Sequence, residues 1–249
     1  MTHGVSRRFT GTGRVYGERA VARFSAAHVC VVGIGGVGSW AAEALCRSAI
    51  GRITLIDPDT VAESNTNRQI HALGNNYGKA KTLIMAERLR SINPACQVSA
   101  VERRVTPETL DELLAGDFDF IIDAIDQVHV KAAMIAWCRQ QRQALITSGG
   151  AGGQINPAHI RIDDLAQSFQ DPLLAKVRAL LRKTYGFPRE AKQKFGIPAV
   201  FSSERVLYPE TGIDKPQQDG PGFGAAVCVT AVFGMFAAGE VLRQLASDA

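Results

Sequence analysis

The stretch His28-Val29-Cys30-Val31-Val32-Gly33-Ile34-Gly35-Gly36-Val37-Gly38 decides the architecture of this chain. Its β-branched run reads as a strand buried on both faces, which feeds a helix running from Val37 to Ile50. Gly33, Gly35 and Gly38 fall at the G-x-G-x-x-G spacing, with Gly36 between them, at the point where the strand becomes the helix. Unpaired backbone N–H groups and a helix N-terminus then converge on one spot, which is an anion site. Gly51 stops the helix and Arg52 to Asp57 forms the next strand, so strand, helix and strand fill about 30 residues, as a βαβ unit does. Asp57 ends that second strand, where an acid accepts hydrogen bonds from both hydroxyls of a ribose. On these residues alone NAD and ATP fit equally well.

The same alternation continues outward. A helix from Lys79 to Ser91 is stopped by Asn93-Pro94, and a strand follows from Gln97 to Val101. A short helix comes after Thr106-Pro107, then a strand from Phe118 to Ala124, a helix from Val128 to Arg142 and a strand from Ala144 to Ser148. Strands alternating with helices predict an α/β fold, a Rossmann-like doubly wound and mainly parallel sheet with ligands at the C-terminal strand ends. His159 to Asp163 reads as one more strand, Asp164 to Gly222 as a crossover insertion lying over the sheet, and Phe223 to Leu245 as a C-terminal apolar helix. Residues 1–249 read as a single domain.

Composition agrees with a soluble globular chain: 249 residues, 46% hydrophobic and 21% charged, enough to bury a large core. The N-terminal residues hold no apolar run of the secretory kind, so a cytoplasmic address is expected. Residues 220–239 carry no charge and raise the alternative of membrane association. Their uninterrupted apolar part, Ala225 to Ala238, is shorter than a span and rich in Ala and Gly, which favours a core helix and makes a membrane partner the weaker expectation. Cys30, Cys46, Cys96, Cys138 and Cys228 form no C-x-x-C pair, which argues against a structural zinc site or a disulfide framework. They read as buried thiols, with Cys228 packed inside the apolar helix.

Polar residues beyond the second strand separate the two nucleotides. Arg68, within Asn65-Thr66-Asn67-Arg68-Gln69, together with Lys79 and Lys81 brings three cations toward the glycine turn. A triphosphate needs that neutralisation more than the pyrophosphate of NAD does. Asp123-Ala124-Ile125-Asp126 ends the fourth strand, where Asp126 is placed to hold Mg2+ with the phosphates. Positive charge also clusters at Lys176, Arg178, Arg182, Lys183, Arg189, Lys192 and Lys194 against the single acid Glu190, although the whole chain is only +4. Such a segment suits a polyanion, with Tyr185 and Phe187 positioned to stack on unpaired bases.

The series GIGGVG (Gly33 to Gly38), LIDPDTV (Leu55 to Val61), NTNRQ (Asn65 to Gln69), GKAK (Gly78 to Lys81) and DAID (Asp123 to Asp126) resembles the successive motifs of the E1-like adenylating enzymes. That superfamily includes ubiquitin-activating enzymes and the activators of bacterial sulfur carriers. RFTGTGRVYGE (Arg8 to Glu18), TSGGAGGQINP (Thr147 to Pro157), QDPL near Gln170 and FSSE at Phe201 further resemble the branch that dehydrates threonylcarbamoyladenosine in tRNA. The resemblance implies ATP-dependent dehydration through a carboxyl adenylate, with tRNA as the partner. It also implies roles: Asp57 on the ribose, Arg68 and Lys81 on the phosphates, Asn65, Asn67 and Gln69 as polar lining, and Asp126 on Mg2+. A homodimer is implied in which Arg8 or Arg14 reaches the ATP site of the other subunit. The crossover of thioester-forming relatives carries a cysteine, and Asp164 to Gly222 has none. Alternatives are a nucleotide-binding adaptor that docks a sulfur-transfer or carrier protein as its partner, an activator of a sulfur-carrier protein, and an NAD-dependent dehydrogenase.

Overall fold

Strand β1 (His28–Val32) is an interior strand, third in a seven-stranded sheet, because its side chains are apolar on both faces. Val29 and Val31 enter one core cluster, whereas Cys30 and Val32 enter the other, following the two-residue period of a strand. A computed structural model describes residues 7–190, 193–208, 223–247 and 249. Around β1 stand β2 (Arg52–Ile56), β3 (Gln97–Val101), β4 (Phe120–Asp123), β5 (Leu145–Ser148), β6 (Ile160–Asp164) and β7 (Pro198–Ser202), in the spatial order β3-β2-β1-β4-β5-β7-β6. All neighbours are parallel except β6, which pairs antiparallel with β7 at the edge.

Helices cover both faces. On one side lie α2 (Glu18–Ala26), α3 (Gly38–Arg47), α4 (Lys81–Ile92) and α8 (Val227–Ser247), and on the other α5 (Leu110–Leu114), α6 (Val128–Gln141) and α7 (Pro172–Thr184). A further short helix, α1 (Thr10–Tyr16), leads into α2. The strand order reverses between β1 and β4: the chain proceeds from β1 to β2 and β3 on one side, and from β4 to β5 on the other. The C-terminal ends of β1 and β4 open the crevice in which such sheets bind ligands.

Helix α8 is long and apolar enough to cross a membrane by length and composition alone. In the fold, however, Val229, Phe233, Gly234, Ala237, Val241 and Leu245 are buried at helical spacing. Gly234 fits so closely that a Cβ there would stand 2.5 Å from the carbonyl oxygen of Val37. This is the packing of a core helix against α3. Residues 220–222 of the charge-free stretch lie outside the described residues.

Two expectations change. The segment from Asp164 does more than lie over the sheet: it supplies α7, which packs on α6, and β7, which inserts between β5 and the edge strand β6. Residues 191, 192 and 209–222 of this segment are outside the described residues. Cys228 is exposed, unlike Cys30, Cys46, Cys96 and Cys138. The reason is angular: the buried stripe of α8 starts at Val229 and Thr230, and residue 228 falls outside it.

Candidate active site

The turn after β1 is built by steric exclusion. Gly33 has φ +89°, and a Cβ on it would meet the carbonyl oxygen of Ala124 at 2.9 Å. A Cβ on Gly38 would sit 1.8 Å from the carbonyl oxygen of Gly33, so α3 can start this close to β1 only without a side chain. Asp57 is buried and secures the turn: its Oδ2 accepts from Ile34 N at 2.6 Å, and its Oδ1 accepts from Asp59 N at 2.8 Å. A carboxylate has about four acceptor positions, so Asp57 retains capacity for a ribose beside these bonds.

A cavity of about 700 Å³ opens over this turn at the C-terminal ends of β1, β2, β4 and β5. Of the residues singled out in the sequence, Gly33, Gly35, Gly36, Asp57, Asn65, Arg68, Gln69, Lys81 and Asp126 line it. Gly38 does not line it; its part is the close packing beneath. Asn67 is also absent from the lining: its amide donates to the Ala225 carbonyl at 2.7 Å, and its Oδ1 accepts from Arg68 Nη1 at 2.9 Å. Asn67 therefore braces Arg68, which also donates to the Ser64 carbonyl at 2.9 Å. The Asn65 side chain accepts from Ala62 N at 3.1 Å and closes the short helical turn that carries the NTNRQ run. Gln69 is buried with its Oε1 unpartnered, and the residue borders the cavity.

Lys81 is nearly buried and donates to Asp59 Oδ2 at 3.2 Å. His71 is buried nearby with neither ring nitrogen partnered, and burial, followed by the charges of Lys81 and Arg88, lowers its pKa to about 4. A neutral imidazole there leaves the local positive charge to the lysine. Lys79 is not part of the lining. Two cations that the sequence motifs did not mark, Arg103 and Arg104 just beyond β3, do line the cavity.

The DAID run divides in two. Strand β4 ends at Asp123, which is fully buried with Lys131 Nζ 2.7 Å from its Oδ2 and Thr147 Oγ1 donating to the same oxygen at 2.7 Å. Burial raises the Asp123 pKa, and Lys131 and Thr147 oppose the rise. Asp126 lies three residues past the strand end, exposed, in the loop to α6. Lys131, Thr147 and Asp123 thus form a buried support for the loop that presents Asp126. No signal in the sequence marked Lys131 beyond its place on an otherwise apolar helix face.

The glycine-rich run after β5 forms the opposite wall, through Ser148 to Gly152. Two acids hold it. Asp171 caps α7 by accepting from Leu174 N at 2.9 Å and also accepts from Gly150 N at 2.9 Å, while Glu204 Oε2 accepts from Ile155 N and Asn156 N at 3.1 and 3.0 Å. The QDPL and FSSE runs are explained by these latches.

Arg8 lies in a short helical turn, Arg7–Phe9, and Arg14 in α1; both are exposed and neither lines the cavity. In the basic segment, Lys176, Lys183, Arg189 and Lys194 are exposed, and Lys192 is outside the described residues. Arg178 bonds the Ser168 hydroxyl, and Arg182 donates to the Pro188 carbonyl at 3.1 Å. Phe187 is not available to stack on a base: it is buried, with its ring centroid 5.0 Å from that of Phe195 and the Arg139 guanidinium 4.3 Å above it. Its apolar ring gains more from that core than from solvent. Tyr185 remains exposed.

Residues 10–248 match the ThiF family. The chain belongs to that family. It is 50% identical to the tRNA threonylcarbamoyladenosine dehydratase of Escherichia coli K12, over 98% of this chain and 95% of that protein. It is 46% identical to the Haemophilus influenzae protein of the same name, over 96% and 93%. A crystal structure of the E. coli dehydratase in complex with ATP superposes with a TM-score of 0.90 at 51% identity, covering 97% of this chain and 94% of that one.

Proposed function

We propose that this ThiF-family chain is an ATP-dependent dehydratase of threonylcarbamoyladenosine in tRNA. The observation that carries the reading is the match over nearly the full length of both chains to relatives of that activity, and the cavity chemistry agrees with it. Four cations, Arg68, Lys81, Arg103 and Arg104, line the cavity around the glycine turn, which suits a triphosphate better than NAD. A sulfur-carrier activator and a passive adaptor are the weaker readings.

The carboxylate of the modification bonds to the α-phosphorus of ATP, the bridging P–O bond breaks and pyrophosphate leaves. The ureido group of the same side chain then attacks the acyl carbon, AMP leaves, and the attacking group gives up a proton. The substrate loses the elements of water while ATP becomes AMP and pyrophosphate. Ring closure is intramolecular and gains from proximity. No enzyme thiol is needed, and Cys228 lies outside the cavity. Asp57 holds the ribose, while the glycine turn, Arg68 and Lys81 hold and neutralise the phosphates; Gln69 lines the nucleotide pocket.

Asp126 would hold Mg2+ together with phosphate oxygens and water, the donor set this ion takes in nucleotide sites. Bound there, the ion would neutralise the departing pyrophosphate. The chain acts as a homodimer in which Arg8 or Arg14 completes the partner's ATP site, a reading supported by their exposure outside their own cavity. A tRNA substrate implies a cytoplasmic address, and the packing of α8 on α3 supports a core helix over an anchor.

The test is product stoichiometry. Pyrophosphate and AMP should form one for one with modified tRNA and not with tRNA lacking the threonylcarbamoyl group. Pyrophosphate release independent of that group would refute the reading.

A further inference from the structure

The cavity has two unlike sides. Arg68, Lys81, Arg103 and Arg104 lie beyond the ends of β2 and β3, whereas, among the described residues, the wall made by residues 148–152, Leu173, Val206, Phe223 and Thr230 contributes no cation. Two glycines of that wall are bare backbone by necessity. A Cβ on Gly149 would come within 1.9 Å of Asp171 Oδ2, and one on Gly152 within 2.9 Å of Phe223 Cβ. The wall suits a ligand far less charged than a triphosphate.

Thr230 stands where the two sides meet. It is 3% exposed, lines the cavity and has no hydrogen-bond partner for its hydroxyl. A Cβ on Gly36 would approach Thr230 Cβ to 3.3 Å and Arg68 Cγ to 3.2 Å, so Thr230 packs against the glycine turn itself. A buried hydroxyl without a partner is costly, and an acceptor on a ligand relieves the cost. Thr230 also belongs to the first turn of the 21-residue helix α8; the N–H groups of Val229 and Thr230 there already bond the Ala226 carbonyl at 3.0 Å, so what this turn adds toward an anion is the positive dipole end of the helix.

We propose that Thr230 and the first turn of α8 form the subsite for the carboxylate of the second substrate, seating it against the α-phosphate at the glycine turn. The proposal rests on the functional reading above and names a substrate contact within it. A hydroxyl donor orients one carboxylate oxygen without neutralising the group, so the other oxygen keeps its lone pairs for attack on phosphorus. A lysine or arginine at the same position would instead draw charge from the nucleophile.

The test compares Thr230→Val, Thr230→Ala and Thr230→Ser with the wild type. Steady-state kinetics would be measured with threonylcarbamoyl-modified tRNA at saturating ATP, and ATP binding by calorimetry. Thr230→Val should lower kcat/KM for the tRNA by about 10- to 100-fold, the worth of a hydrogen bond to a charged group. ATP affinity should stay within about twofold of wild type, and Thr230→Ser should recover most of the loss. Thr230→Ala serves if valine disturbs the packing beside Gly36. Unchanged tRNA kinetics in both variants would overturn the subsite, as would a loss confined to ATP affinity, which would make Thr230 a phosphate contact. A wild-type protein that leaves modified tRNA untouched would overturn the functional reading and the subsite with it.

Discussion

Lys131→Met removes the cation that faces Asp123 in the interior, where both side chains are fully buried and their charged atoms lie 2.7 Å apart. Left alone there, Asp123 takes up a proton, because an unpaired ionised carboxylate in an apolar surrounding costs far more than protonation does. In the unfolded chain the same carboxyl titrates near ~3.9, so holding its proton in the fold costs ~1.5 kcal/mol at pH 5 and ~4 kcal/mol at pH 7. The second value lies within the ~3–5 kcal/mol expected on halving a buried ion pair. The sign follows from linkage. An acid whose folded pKa is raised binds its proton more tightly folded than unfolded, so its contribution is most favourable at low pH and is lost as pH climbs above the unfolded pKa. In the wild type, Lys131 and Thr147 oppose that rise, and the slope is shallower. Urea unfolding at pH 5, 6 and 7 should therefore show the gap between wild type and Lys131→Met widening with pH, by up to ~1.4 kcal/mol per pH unit. The pair variant Asp123→Asn with Lys131→Met should lose the widening. A gap that stays constant with pH would refute the reasoning.

Three further outcomes are expected. Asp126→Asn should keep its fold, since Asp126 is exposed, and should slow pyrophosphate release by about 100-fold or more, the scale of losing one electrostatic group at a reacting centre; near-normal release would remove it from the site. Mixing Asp126→Asn subunits with Arg8→Ala or Arg14→Ala subunits should regain partial activity after verified exchange, because one hybrid site is intact, and absence of recovery would exclude shared sites. Neutralising the exposed cations Lys176, Lys183 and Arg189 to glutamine should flatten the salt dependence of tRNA binding by ~0.7 to 0.9 in log–log slope for each phosphate no longer neutralised; an unaltered slope would place the tRNA elsewhere.

The parts of the fold legible in the sequence are those in which one local pattern sufficed. The βαβ start was visible because apolar strand, glycine turn, helix and terminal acid follow one another within a short stretch, and the same spacing marked Gly33, Gly35, Gly36 and Asp57, which line the cavity. The strand β7 was not legible: Pro198–Ser202 sits beside a serine-glutamate run, and nothing local tells that it pairs parallel to β5 while β6 runs antiparallel. The same limit hid Thr230 and the roles of Asp171 and Glu204, whose runs the sequence marked but whose partners Gly150, Ile155 and Asn156 lie far away in sequence. Phe187 misled because an aromatic between cations looks alike whether its ring meets a base or a second phenylalanine. Arg103 and Arg104 went unseen because they follow a half-exposed edge strand without a turn signature, and their place in the site comes from the parallel alignment of β3 with β2.

Mass spectrometry of nucleosides from threonylcarbamoyl-modified tRNA incubated with the purified chain decides whether the chain dehydrates that nucleoside at the expense of ATP. With ATP and Mg2+, the modified adenosine should be converted to a species lighter by one water, with none formed when ATP is replaced by a nucleotide that cannot release pyrophosphate. Modified adenosine recovered unchanged from a folded protein that binds ATP would contradict the account.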